Sequence, residues 1–295
     1  MGPATLTEWG GRRDGQIYGP AYDAEFLLAK TEDRSQEVPI EEDWWVAGLE
    51  WGELQGADVA SSSLGYIDWY ESEDLDGMTA VTTIAADIAI DNGMIIANSA
   101  GNRGGNGIVA PADAFGILAC GAVDSTGQIA SFSSRGPTAD GRIKPEVCAR
   151  GVSTYCASAS RDGTDIYRYA SGTSLSAPLI GGACAVILSA NPDWTPQQVR
   201  YALMSTANNA ENPDNSYGWG IIDVMQALQM SFLAGDVDGN EIVNVLDIVM
   251  TVNFVLLVEM PTEYQLIQAD VNADGDLDVL DIVQIVNIIL SGPDD

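Results

Sequence analysis

Two acidic segments near the C-terminus repeat each other. GDVDGNEIVNVLDIVMTVNFVL begins at residue 235 and ADVNADGDLDVLDIVQIVNIIL at residue 269, 34 positions later. Each is an acidic loop followed by VLDIV and an apolar run of helical spacing. A repeat this close is one supersecondary unit used twice, so residues 235–293 are expected to form a small domain of their own. Residues 1–232 must then fold around a separate core. Of the 295 residues, 46% are hydrophobic, a fraction suited to a packed core and too high for a disordered chain.

The repeated loops carry metal chemistry. Calcium takes six to eight oxygens, and a flexible loop of twelve residues can supply them. The second loop offers Asp270, Asn272, Asp274, Asp278 and Asp281 at positions 1, 3, 5, 9 and 12, with the carbonyl of Asp276 at position 7 and Gly275 at the sharp turn. The first offers Asp236, Asp238, Asn240, Asn244 and Asp247, with the carbonyl of Ile242 at position 7. Glu241 stands where Gly275 stands in the second loop. That position favours a positive φ, so the first loop is expected to bind calcium more weakly. Two such loops in phase argue against a merely solvated acidic surface.

The formal charge is −31, and no basic residue follows Arg200. A surface this acidic repels nucleic acid and anionic membranes. No run of eighteen apolar residues predicts a membrane-spanning helix. The opening MGPATLTEWGGRRDG has no apolar stretch of the kind a signal peptide needs.

Between about residues 20 and 232 the pattern is α/β. TAVTTIAADIAIDN (79–92) spaces its apolar side chains for a helix that Gly93 stops. MIIA (94–97) and ILACGAV (117–123) are short apolar runs, the signature of strands buried on both faces. A helix is expected from about 174 to 190, with Pro178 in its first turn and Asn191-Pro192 at its end. TPQQ (195–198) reads as a capping box opening a helix through Met204. Such alternation predicts a mostly parallel sheet with helices on both faces.

GTSLSAP (172–178) frames Ser174 as a nucleophile is framed. Glycine before it permits a tight turn, and a helix start directs free N–H groups at a developing oxyanion. Asn102, in the loop after a buried strand, would add an amide donor; Asn98 is the competing amide. A serine hydroxyl needs a base to take its proton, usually histidine. The chain contains no histidine. Ser174 as a simple helix cap is the bland alternative for this motif taken alone. Of the four cysteines, Cys120 and Cys184 lie in apolar runs and read as buried hydrophobes, while Cys148 and Cys156 are candidates for a disulfide.

Taken together, GPAYDAEFLLAK (19–30), SSLGY (62–66), NSAGN (98–102), FSSRGPT (132–138), KPEV (144–147), GTSLSAP and NPDWTPQQVRYALMSTA (191–207) resemble the subtilisin-like serine peptidases, in that family's order. The resemblance implies a subtilisin-like α/β fold acting on protein or peptide substrates. It implies Ser174 as nucleophile and Asn102 as oxyanion donor. Ser63-Leu64-Gly65 and Ser99-Ala100-Gly101 match the segments that flank the substrate. Arg150 departs from the family's usual proline and is expected to alter only a local turn. The larger departure is upstream. In this family the acid and base precede the serine in the order Asp, His, Ser. Residues 1–18 hold Asp14 and no histidine. The expectation is an N-terminally truncated serine endopeptidase, with any signal peptide in the missing part. The alternative is a non-catalytic pseudo-peptidase that keeps the fold for binding.

The paired loops, with aspartate at position 12 and one helix after each, resemble a dockerin domain. That resemblance implies calcium as ligand, a cohesin-type scaffold as partner, and an extracellular or cell-surface location. The docking positions 10 and 11 are Val245-Leu246 and Val279-Leu280, which implies an apolar docking face or burial against another part of the protein.

Overall fold

The computed structural model describes residues 19–33, 35–158 and 167–291. The chain divides into two compact units, Met1–Leu228 and Gln229–Asp295.

In the first unit, β1 (Val59–Ser62), β2 (Ile95–Ser99), β3 (Leu118–Val123) and β4 (Val147–Arg150) form a parallel sheet in the order β1-β2-β3-β4. β2 and β3 are buried along their whole length. That burial is why their sequences run apolar without alternation. Helices α1 (Ile40–Leu54) and α2 (Val81–Asp91) bring Trp45, Leu49, Ala86, Ala89 and Ile90 into one core with Ile96 of β2 and Ala119 of β3. Helix α3 (Thr173–Ala190) lies against all four strands. A Cβ added at its Gly181 would stand 3.0 Å from the Ser61 Cβ and 3.7 Å from the Ala97 Cβ. Successive strand residues point to opposite faces. Ile96 meets α1 and α2, Ala97 meets α3, and the sheet is covered on both sides.

At 18 residues, α3 is long and apolar enough to cross a membrane, but 50% of that stretch is buried within the protein, as befits a core helix. Pro178 is not in the first turn of α3 as expected; it lies in the helix interior, because the helix already begins at Thr173. Antiparallel strands β5 (Thr154–Ala157) and β6 (Tyr167–Ala170) precede α3. Helix α4 (Pro196–Ser205) opens with the expected capping box: Thr195 Oγ1 accepts from the Gln198 N–H at 3.2 Å, and Gln198 Oε1 accepts from the Thr195 N–H at 2.9 Å. A short helix α5 (Val224–Ala227) follows.

All four cysteines are free and buried. No disulfide joins Cys148 to Cys156: the Cys148 thiol donates to the Tyr217 carbonyl, while Cys156 faces Arg168 across the β5–β6 pair. Burial pushes the Cys148 and Cys184 thiols up to about 12, so neither is a thiolate near neutral pH.

In the second unit, α6 (Val245–Val255), α7 (Glu263–Ala269) and α8 (Val279–Ser291) surround a small core of Val237, Phe254, Ala269 and Ile285.

Candidate active site and calcium loops

Ser174 is the second residue of α3, and Gly172 ahead of it has φ 151° and ψ 156°, a conformation open to glycine. The loop after β2 brings Asn102 to the same place. Its Oδ1 accepts from the Thr173 N–H at 2.9 Å and from Thr173 Oγ1 at 3.2 Å, across 71 positions of sequence. Those two donors fix which way the amide faces, and its Nδ2 is left free. A Cβ built on Gly172 would lie 3.8 Å from Asn102 Nδ2 and 3.7 Å from the Ser174 nitrogen. Both donors therefore lie beside Gly172, each at ordinary contact distance from the point a Cβ there would occupy. Among the described residues neither Asn102 Nδ2 nor the Ser174 N–H has a hydrogen-bond partner. Two unpaired donors at the positive end of a helix suit an anionic oxygen.

Asn98 is used elsewhere. It is fully buried in β2, and its Nδ2 donates to the Leu64 carbonyl at 3.2 Å and the Ser99 carbonyl at 2.9 Å. Ser99 Oγ donates to the same Leu64 carbonyl at 3.4 Å. The two segments 63–65 and 99–101 are thus stitched side by side. Close packing explains the glycine in each. A Cβ at Gly65 would collide with the Val109 side chain, and one at Gly101, where φ is 109°, would stand 2.8 Å from Ser134 Oγ. Ala100 between them is fully buried.

The remaining motif residues act as scaffold. The Ser134 N–H donates to the Gly101 carbonyl at 3.0 Å, and the Ala122 N–H donates to Ser133 Oγ at 3.0 Å. Lys144, in KPEV, pairs with Glu146 at 2.6 Å while both are buried; that burial pushes the Lys144 pKa down. Arg150 donates to the carbonyls of Val152 and Ser153.

The Ser174 hydroxyl donates to the Ser63 carbonyl at 3.4 Å. Among the described residues no carboxylate or amine takes its proton. Asp14 lies outside the described residues. Sequence reading missed Thr173, which orients Asn102, and the Ser63 hydroxyl, which donates to the Ser174 carbonyl at 3.0 Å. Neither contact has a local sequence signal, because each joins residues far apart in the chain.

The two acidic loops are built alike. Asp247 is fully buried; its Oδ1 accepts from the Val237 N–H at 2.8 Å and its Oδ2 from the Asn244 N–H at 2.8 Å. Asp281 repeats this with the Val271 and Asp278 N–H groups, both at 3.0 Å. Asn244 and Asp278 in turn cap α6 and α8 through the Leu246 and Leu280 N–H groups. Loop and helix are therefore one piece in each repeat. Carboxylate oxygens of Asp236, Asp238 and Asp247 lie within 4.8 Å of one another. In the second loop Asp270 Oδ1 is buried with no partner. Burial, and the nearby charges of Asp281 and Asp274, raise the Asp270 pKa. Converging hard oxygens and a buried orphan acceptor fit a hard divalent cation such as calcium.

Backbone strain alone does not set the first loop apart from the second. Glu241 has φ 67°, but Ala273 in the second loop has φ 55°. Each loop places one glycine (Gly239, Gly275) and one residue bearing a Cβ in left-handed backbone. The strain is the same in number, at position 6 in one loop and position 4 in the other.

A nucleophile-type serine at the start of a buried helix, with two free donors beside it and a parallel sheet behind, defines an α/β domain of serine-peptidase type. The subtilase family model matches residues 5–220, and the chain belongs to that family. The dockerin type I domain model matches residues 234–290. The chain is 39% identical over 190 residues to subtilisin E of Bacillus subtilis (strain 168), covering 63% of this chain and 45% of that one. It is 29% identical over 243 residues to the serine protease AprX of the same organism, covering 72% of this chain and 53% of that one. It thus spans about half the length of these curated relatives. Among solved structures it resembles fervidolysin from Fervidobacterium pennivorans, a keratinolytic enzyme related to subtilisin. That match has a TM-score of 0.52 and 27% identity, and covers 64% of this chain and 29% of the other. The self-cleaved protease domain of PatA shares the fold, with a TM-score of 0.62 and 23% identity over 74% of this chain and 78% of that one.

Proposed function

We propose that this chain carries the nucleophile and oxyanion site of a subtilisin-like serine endopeptidase, and that a calcium-dependent dockerin module anchors it outside the cell or at its surface. In this reading Ser174 Oγ attacks the carbonyl carbon of a peptide bond. Charge develops on the carbonyl oxygen, and Asn102 Nδ2 and the Ser174 N–H donate to it. Residues 63–65 and 99–101 line an extended substrate by strand addition. The observation that carries the reading is the convergence of those two free donors beside Gly172. The step left without a residue is removal of the serine proton. We therefore expect residues 1–295 alone to cleave no peptide at an enzymatic rate. An assay on a fluorogenic peptide, with Ser174→Ala as control, tests this.

The lack of histidine favours a second reading, a binding protein on the subtilase fold. That reading expects extended peptides to bind without cleavage, equally in the parent chain and in Ser174→Ala.

For the second unit, we propose calcium on Asp236, Asp238, Asn240, Asn244, Asp247 and the Ile242 carbonyl, and on Asp270, Asn272, Asp274, Asp278, Asp281 and the Asp276 carbonyl. Val245, Leu246, Val279 and Leu280 are exposed, which supports an apolar docking face for a cohesin-type protein. A pull-down with a cohesin domain, in calcium and in EDTA, tests it.

A further inference from the structure

Pro178 stands four residues after Ser174, inside α3. In an α-helix the N–H of the fourth residue onward bonds to a given carbonyl. Proline has no N–H. The Ser174 carbonyl is therefore deprived of its ordinary helical donor. Ser63 Oγ donates to it instead, at 3.0 Å, from a loop 111 positions earlier. The contact is returned, since Ser174 Oγ donates to the Ser63 carbonyl at 3.4 Å.

The neighbouring serines do other work. Ser62 Oγ accepts from Trp45 Nε1 at 3.0 Å, and Ser61 packs beneath Gly181. Of the three, Ser63 is the one that joins the substrate-flanking segment to the first turn of α3. That turn carries the Ser174 hydroxyl and the Ser174 N–H, and through Thr173 it orients Asn102. A proline without a substitute donor would leave the turn free to shift. A shift of about 1 Å in such a group can cost as much as 10² in rate.

We propose that Ser63 is a positioning residue for Ser174, its hydroxyl replacing the helix donor that Pro178 removes. The catalytic consequence rests on Ser174 being the nucleophile; the pairing of Ser63 with Pro178 stands apart from that reading.

The test uses the full chain and four variants: Ser63→Ala, Ser63→Thr, Pro178→Ala, and Ser63→Ala with Pro178→Ala. Two quantities are measured, the thermal midpoint of the first unit and the rate of Ser174 modification by a fluorophosphonate. Ser63→Ala should lower the midpoint by roughly 3–8 °C, as expected for one unpaired acceptor in a domain of this size. Ser63→Thr keeps the hydroxyl and should recover at least half of that loss. In the Pro178→Ala background the helix regains its own N–H, and the loss caused by Ser63→Ala should fall below half. A loss of half or more in that background overturns the pairing. Modification of Ser174 should slow roughly tenfold in Ser63→Ala and recover in the double variant; an unchanged rate in Ser63→Ala overturns the positioning role. Without a base the parent chain reacts slowly, so modification is followed at about pH 10; if Ser174 is not modified even there, the nucleophile reading fails, while the midpoint cycle still decides the pairing.

Discussion

The two acidic loops and the serine site are built on opposite plans. Each loop is complete within twelve residues, and its position-12 aspartate ties the loop to the helix that follows. The serine site is gathered from distant stretches: Ser63 reaches Ser174 across 111 positions and Asn102 reaches Thr173 across 71. A local site keeps all its parts wherever its segment goes. A dispersed site depends on every element that brings a part to it. The two regions illustrate the consequence. Each acidic loop carries its proposed ligands within twelve residues, whereas Ser174 has two free donors beside it but no base among the described residues.

The sharpest way to break this contrast is hydrolysis. Residues 1–295 should cleave peptides no faster than the Ser174→Ala variant. Loss of the histidine alone is worth on the order of 10⁶ in kcat in such peptidases. Robust turnover that depends on Ser174 would show the dispersed site to be complete after all. Supplying a segment with the family's aspartate and histidine should restore activity. In that restored form Asn102→Ala should lower kcat by about 10²–10³ and leave KM nearly unchanged, because the amide serves the transition state and not the bound substrate. An effect on KM alone would make Asn102 a substrate contact.

The second unit should fail in a different way, by unfolding. Residues 235–295 contain acids and no base. Without a cation their loop carboxylates repel, and a segment this short builds little core. Circular dichroism of that segment should gain helix on calcium addition and lose it in EDTA. Full helicity in EDTA would show that the small core suffices.

The smallest effects compare one loop with the other. Glu241→Gly and Ala273→Gly should each tighten calcium binding to its own loop by roughly fivefold, since each relieves a left-handed residue of comparable cost, about 1 kcal/mol. A gain in one loop only would bring back the inequality expected from Glu241 alone.

These contrasts also explain what the sequence makes legible. MIIA and ILACGAV announce buried strands because a strand covered on both faces has no polar positions to confuse the pattern. The Thr195–Gln198 box and the calcium loops are legible because their partners lie within a few residues. Helix α1 was not expected, although Trp45 and Leu49 bury one face of it at helical spacing. Its surface face also carries Trp44, Trp51 and Leu54, which blurs the period. The preference for Asn102 over Asn98 comes from the family resemblance and not from local pattern; the structure separates the two by burying Asn98 within β2 and placing Asn102 in the loop after it. The free thiols and the place of Pro178 inside α3 were likewise fixed by packing and by where the helix begins.

The central proposal is that Ser174 has oxyanion donors in place and, among the described residues, no base. The pH dependence of its modification by a fluorophosphonate tests that claim most directly. A serine served by histidine loses reactivity as the imidazole is protonated, which gives an inflection near about pH 6.5 and a plateau above it. A serine without a base reacts only through hydroxide or its own rare alkoxide. Its rate should then rise about tenfold per pH unit between about 6 and 10, with no inflection, and Asn102→Ala should lower the whole line without changing its slope. A plateau anywhere in that range would reveal a titrating base beside Ser174 and contradict the account.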